Sequence, residues 1–257
     1  MMSPLSLFAR STPFFVIAHR GSSGIAPENT LAALRMAVDG GARMVELDVQ
    51  FSKDNQTVVF HDAVLGRTTN GHGYVRNKSV AELRTLDAGS WFSDEFANER
   101  IPLFTEALEI LKDRAYLLIE LKPLDEHTSL ADVEVLVHTV RSLNLGPYTL
   151  FASFDHATIR HVKSIDRTLY TLALHVPGDK RTPSVIVHSC GADAYGCSIV
   201  ELTVEKSTDT KAHNIPFGVY TVNEESELKK ALAHGVNAVV SNFPERITAA
   251  VANLQRT

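Results

Sequence analysis

Short runs of apolar residues recur along the chain, each closed by a polar or charged residue and separated from the next by a stretch of helical period. The runs predict strands over residues 14–18, 44–49, 116–121, 149–152, 168–174, 194–197, 216–220 and 238–240. Amphipathic stretches over 30–38, 104–111, 130–143, 156–165, 204–213, 224–234 and 244–254 predict intervening helices. Asn29 and Thr30 are candidate caps for the first helix, and Asn223 for the one beginning at Glu224. Strands that alternate with helices predict a parallel sheet, here one closed into a (β/α)8 TIM barrel, with an open doubly wound sheet as the alternative.

Two segments depart from the repeat. Residues 57–60 read as an additional short strand. Residues 62–100, which carry Gly, Asn and Ser and the single tryptophan, Trp91, are too long for an ordinary strand-to-helix connection. They predict a small insertion after the second strand, packed over one end of the barrel within a single domain of residues 1–257, where such insertions shape substrate access.

The length of 257 residues suits one α/β barrel. No apolar stretch approaches the roughly 18 residues of a membrane span, and the N-terminus has no basic region ahead of an apolar one. Two cysteines, Cys190 and Cys197, make neither a zinc site nor a disulfide framework and are read as structural. These features predict a soluble, cytoplasmic protein. A net charge of -5 argues against nonspecific nucleic-acid binding, although a local cationic spot could hold one phosphate. Homo-oligomerisation is left open.

The polar residues that end the apolar runs supply candidate chemistry. A buried strand projects its terminal polar side chain from the rim of the sheet, where barrel enzymes carry their sites. Glu46 and Asp48 are two apart, so they share one face of their strand, and Glu120 and Lys122 repeat that spacing. Three converging carboxylates need a counter-charge, and an all-oxygen set suits one divalent hard metal, Mg2+ or Ca2+. Taken singly, each carboxylate reads more simply as a salt-bridge partner. His19 and His61 each follow an apolar run and can exchange protons near neutral pH. The other histidines, such as His138, His161 and His234, fall mostly on helices without companion groups. Arg20 and Lys122 are rim cations suited to phosphate oxygens or to neutralising the carboxylates.

These residues resemble the motifs of the glycerophosphodiester phosphodiesterase family. The matching elements are His19-Arg20-Gly21, Glu28-Asn29-Thr30, Glu46-Leu47-Asp48-Val49-Gln50, His61-Asp62, Arg67-Thr68-Thr69-Asn70-Gly71, Ile101-Pro102 and Glu120-Leu121-Lys122. Ser153-Phe154, Val222-Asn223 and Ser241-Asn242-Phe243-Pro244 resemble later motifs, so the likeness spans nearly the whole chain. It implies the barrel with its insertion, a divalent metal at Glu46, Asp48 and Glu120, and His19 and His61 as acid and base. It also implies phosphate contacts from Arg20 and Lys122, and substrate-side contacts from Glu28, Asn29, Phe154 and Tyr220. The expected activity is hydrolysis of a small-molecule glycerophosphodiester to sn-glycerol 3-phosphate and an alcohol. A related barrel phospholipase of C or D type and a non-catalytic phosphodiester-binding barrel are the alternatives. Three positions depart from the family pattern: Tyr220 replaces a usual tryptophan, Asn242 a usual aspartate, and Gly66 a frequent aspartate ahead of Arg67.

Overall fold

The computed structural model describes residues 3–8 and 14–254. A short helix α1 (Pro4–Phe8) precedes the first strand, which the apolar pattern did not predict; residues 9–13 lie outside the described residues. The chain then alternates through β1 (Phe15–Ala18), α2 (Leu31–Asp39), β2 (Met44–Phe51), β3 (Thr57–Val59), α3 (Val80–Leu83), α4 (Phe104–Leu111) and β4 (Tyr116–Leu121). It continues through α5 (Leu130–Ser142), β5 (Thr149–Ser153), α6 (His156–Ile165), β6 (Tyr170–Leu174), α7 (Pro183–Cys190) and β7 (Ala194–Ser198). The last elements are α8 (Val204–Ala212), β8 (Phe217–Tyr220), α9 (Glu225–Ala233), β9 (Ala238–Ser241) and α10 (Pro244–Leu254).

Eight of the strands form a parallel sheet in the order β1, β9, β8, β7, β6, β5, β4, β2, and a β1–β2 pairing through Ala18 and Val45 closes it into a TIM barrel. The open-sheet alternative is thereby excluded. Strand β2 is longer than its neighbour β1, so its C-terminal half is left without a partner on that side. Strand β3 fills the gap, pairing antiparallel outside the ring with Val49 opposite Val59 and Phe51 opposite Thr57. That pairing explains why β2 runs two residues beyond the predicted 44–49.

Alternation along β2 separates two environments. Val45, Leu47 and Val49 face outward and pack among Leu34 and Ala37 of α2 and Phe104 and Leu111 of α4. Burying each of these side chains contributes about 1.5–3 kcal/mol relative to exposure. Met44 faces inward, where Phe15, Ile17, Leu118, Leu150, Leu172 and Ala238 fill the barrel and Leu7 of α1 joins them. Glu46 and Asp48 follow Met44 on the same inner face, toward the end at which β2 meets the following segments.

The stretch between β3 and α4 has its own small apolar core of Leu65, Val75, Leu83 and Ala88 against Phe60 and Ile101. Within it Ser79 and Glu82 form a capping box on α3, a signal visible as Ser-x-x-Glu. The stretch is tied to the barrel where the Ala32 N–H donates to Glu99 at 3.2 Å. Helix α7 was not predicted because its Val185-Ile186-Val187 run is β-branched and reads as extended, although Pro183 opens it and left-handed Gly191 closes it. No helix among the described residues is long and apolar enough to cross a membrane. Cys190 and Cys197 are both buried and unpaired, and burial pushes the Cys197 thiol up to about 12.

Candidate active site

Strand β1 ends at Ala18 and delivers His19 and Arg20 to the rim. His19 continues the strand pairing, its N–H donating to Ser241 O at 2.8 Å. The chain then turns sharply, with φ +54° at Arg20 and +81° at Gly21. A Cβ at Gly21 would lie 2.5 Å from the carbonyl carbon of Ala33 in α2, so the turn and the helix approach both require glycine. Thr30 caps that helix as predicted, accepting from the Ala33 N–H. The Arg20 N–H is aimed back at the barrel and donates to Glu46 Oε2 at 2.8 Å.

Glu46, Asp48 and Glu120 come together, each offering an oxygen within 4.8 Å of the others. Register explains the convergence: β2 and β4 are neighbours, with Asp48 directly opposite Glu120. The Lys122 ammonium reaches back to Asp48 and lies 2.5 Å from Glu120 Oε1. Arg20 Nε stands 3.2 Å from Asp48 Oδ2. Asp48 is fully buried; burial alone would raise its carboxyl, but the ammonium of Lys122 and the guanidinium of Arg20 hold it well below the usual carboxylate range. Among the described residues no lysine or arginine side chain forms an ion pair with Glu46, and His19 Nε2 stands 3.9 Å from its Oε2. Burial, followed by the negative charges of Asp48 and Glu120, raises it well above the ordinary value. Burial opposes the Lys122 charge, yet the two carboxylates carry that group above its normal pKa. Four titratable groups thus share a compact space with one carboxyl inclined to stay protonated. An oxygen-only donor set of this kind fits a hard divalent ion, which would relieve the repulsion felt by Glu46.

His19 and His61 face a cavity of about 170 Å3 beside these carboxylates. His19 Nδ1 lies 2.6 Å from Asn242 Oδ1, and His61 Nδ1 lies 2.6 Å from Asp62 Oδ1. Both partner oxygens accept, so each ring donates from Nδ1 and keeps Nε2 for the cavity. Burial, reinforced by the Arg20 charge, lowers His19 to about 4. The rest of the lining is mostly apolar, from Leu118, Ala152, Leu174 and Val240 with Phe154 and Tyr220. The two aromatic rings meet edge to face with centroids 6.1 Å apart.

Two of the expected substrate-side residues, Glu28 and Asn29, do not line this cavity. Asn29 is buried with Nδ2 donating to Asp48 Oδ2 at 2.8 Å and Oδ1 accepting from the Asp48 N–H at 3.3 Å. Its place is behind the carboxylate. Glu28 accepts from Arg20 at 2.7 Å and from Arg67 at 2.6 Å, so it organises cations at the mouth. Asn223 does not cap α9; its Oδ1 accepts from Asn242 N–H at 2.9 Å and Ser241 Oγ at 3.3 Å, while Glu227 reaches back to the Asn223 and Glu224 N–H groups. His161, expected to lack a companion, has Nε2 3.2 Å from Glu134 Oε1.

Asp62, Arg67 and Asn242 belong to the site's architecture but were not assigned a role from the sequence. Asp62 directly follows His61, and that adjacency was its available signal. Asn242 is 223 residues from His19, and only barrel closure brings the two together.

Comparison with known proteins agrees with this geometry. The sequence profile of the glycerophosphoryl diester phosphodiesterase family matches residues 19–246. A glycerophosphodiester phosphodiesterase of Caldanaerobacter subterraneus is 32% identical over 236 residues, covering 90% of this chain and 95% of the relative. A phosphodiesterase of Oleispira antarctica, solved in complex with the product sn-glycerol-3-phosphate, superposes with a TM-score of 0.87 at 33% identity, covering 95% of this chain and 99% of that one. A glycerophosphodiester phosphodiesterase structure from Agrobacterium tumefaciens gives 0.77 at 30% identity over 92% and 99%. Since the profile match starts at His19 and spans both histidines and all three carboxylates, this chain belongs to the glycerophosphoryl diester phosphodiesterase family, a family of phosphoric diester hydrolases.

Proposed function

We propose that the protein hydrolyses glycerophosphodiesters to sn-glycerol 3-phosphate and an alcohol, using His19 and His61 for proton transfer and a divalent metal held by Glu46, Asp48 and Glu120. The observation that carries this reading is that His19, His61, Arg20, Glu46 and Glu120 line one cavity, with Asp48 and Lys122 directly behind them in contact with the same carboxylate cluster. The product complex of the Oleispira antarctica relative supports a small-molecule substrate of this class. The two unpaired cysteines support a reducing, cytoplasmic setting.

When bound by the three carboxylates, Mg2+ or Ca2+ would offset the negative charge that builds on the phosphate oxygens in the transition state. Arg20 and Lys122 add fixed positive charge beside that position and orient the diester. One histidine removes the proton from the attacking hydroxyl through Nε2. The other, protonated on both ring nitrogens at that stage, donates its Nε2 proton to the departing alkoxide, so the P–O bond to the alcohol breaks as the new one forms. A neighbouring glycerol hydroxyl is the nucleophile in this account, which yields a cyclic phosphate. Water then opens the ring with the histidine roles reversed. Intramolecular attack gains from proximity, worth up to about 7–11 kcal/mol in well-oriented cases.

Single-turnover reactions in labelled water test the route: a transient cyclic species is expected, and its absence at every time point would exclude internal attack. The apolar lining that includes Phe154 and Tyr220 gives a second reading some purchase, since it could accept part of an intact lipid. Comparing glycerophosphocholine with phosphatidylcholine vesicles separates the two, with faster turnover of the former expected.

A further inference from the structure

A chain of alternating charges joins two residues that line the cavity, His61 and Arg20, through three that do not, Asp62, Arg67 and Glu28. Asp62 accepts from His61 through Oδ1 and from Arg67 Nε through Oδ2, each at 2.6 Å. Arg67 then spans to Glu28, with Nη1 3.0 Å from Oε2 and Nη2 2.6 Å from Oε1. Glu28 Oε1 also receives Arg20 Nη1 at 2.7 Å, and Arg20 lines the cavity. From these contacts we infer that Arg67 is a positioning residue: its single guanidinium clamps Asp62 and Glu28 together, and through them fixes the His61 ring and the Arg20 side chain relative to each other. The inference rests on the proposed phosphodiesterase reading for its kinetic consequences, and on the geometry alone for its structural ones.

Three features favour a positioning role over an ordinary surface ion pair. First, the contacts engage the Nε and both terminal nitrogens of one planar group, a pattern that a lysine ammonium cannot reproduce. Second, the residue is delivered by a built turn. Gly66, directly before it, has φ +121°, a conformation open to glycine and strained for other residues, which gives a physical reason for glycine where the family frequently has aspartate. Thr68 and Thr69, directly after it, are buried, and Asn70 Oδ1 accepts from the Asp87 N–H at 2.9 Å, so the turn is anchored on its C-terminal side. Third, the Arg67 side chain is 47% exposed, where ion pairs contribute little to folding stability. Its effect should therefore appear in catalysis, not in melting temperature. In this way the 62–100 stretch reaches the site through Asp62, which holds His61, and Arg67, which ties Asp62 to Glu28.

The test compares wild type with Arg67→Ala, Arg67→Lys, Asp62→Asn and the Arg67→Ala/Asp62→Asn double variant, all supplied with Mg2+ and glycerophosphocholine. Residues that hold a functional group in place typically contribute about 10- to 100-fold to activity. Arg67→Ala is expected to lower kcat by about that range with little change in Tm, Arg67→Lys to recover little of it, and the double variant to fall no further than the worse single one. Long-range 1H–15N spectra of His61 supply a readout independent of turnover: wild type should show the Nδ1–H tautomer, and Arg67→Ala a mixture. Wild-type kcat in Arg67→Ala, strictly multiplicative losses in the double variant, or an unchanged His61 tautomer would each overturn the clamp. If wild type cleaves no glycerophosphodiester, the functional reading fails, and the tautomer comparison still decides the clamp.

Discussion

His19 and Asn242, 223 positions apart in sequence, are joined by a 2.6 Å contact between Nδ1 and Oδ1 across the junction of β1 and β9. His61 has a carboxylate in the equivalent place, Asp62, so the two proton-transfer candidates are held by unlike partners. A neutral amide orients a ring but does little to stabilise its charged form, whereas a carboxylate does both.

That difference predicts the response of His19 to pH. Its folded value, lowered to about 4 by burial and Arg20, lies below the ordinary 6.5. Between about pH 6.5 and 4 the unfolded chain takes up a proton that folded His19 refuses, so stability is lost as pH falls through that window. Asn242→Asp should raise the folded value and narrow the window. In metal-free protein, the His19 NMR titration midpoint should move up by at least about one unit, the shift expected of an adjacent carboxylate. An unmoved midpoint would mean that the Asn242 contact does not control the ring.

The raised carboxyl of Glu46 predicts proton-linked metal binding. Burial and the charges of Asp48 and Glu120 favour its protonated form, and an incoming divalent ion must displace that proton. Affinity for Mg2+ or Ca2+ should therefore rise with pH, and calorimetry in buffers of different ionisation enthalpy should reveal proton release. Glu46→Gln should weaken binding by about tenfold or more and remove the buffer dependence. A buffer-independent heat for wild type would contradict the assignment.

Gly21 offers a test of how the site is delivered. Alanine there would combine strained positive φ with a Cβ 2.5 Å from the Ala33 backbone, and backbone cannot step aside as a flexible side chain can. Gly21→Ala should destabilise the fold by about 1–3 kcal/mol and depress turnover by displacing His19 and Arg20. Thermal unfolding and steady-state kinetics check both, and a variant matching wild type in both would show that the turn tolerates a side chain.

Much of this arrangement is legible in the amino-acid sequence. The inward pair Glu46 and Asp48 follows from period-two alternation on β2, and the pairing of that strand with β4 places Glu120 beside them. Thr30 was readable as a cap because its signal is local. Asn223 does not cap α9 for the complementary reason: its acceptor is used by residues 241 and 242, which only the β8–β9 neighbourhood brings near. Arg67 was legible as part of a motif but not as a clamp, since its two carboxylates come from different loops. Asn29 has the right chemistry for substrate, yet folding places Asp48 against both its polar atoms.

The central claim is that His19 and His61 act on a diester beside a metal held by three carboxylates. It is tested most directly by measuring sn-glycerol 3-phosphate release from a panel of glycerophosphodiesters by wild type, His19→Ala and His61→Ala, before EDTA, after EDTA and after restoring Mg2+ or Ca2+. The account predicts release by wild type, loss on chelation with recovery on either restoration, and a fall of about 100- to 10,000-fold for each histidine variant. No release from any panel member, undiminished release after chelation, or near-full turnover by both histidine variants would contradict it.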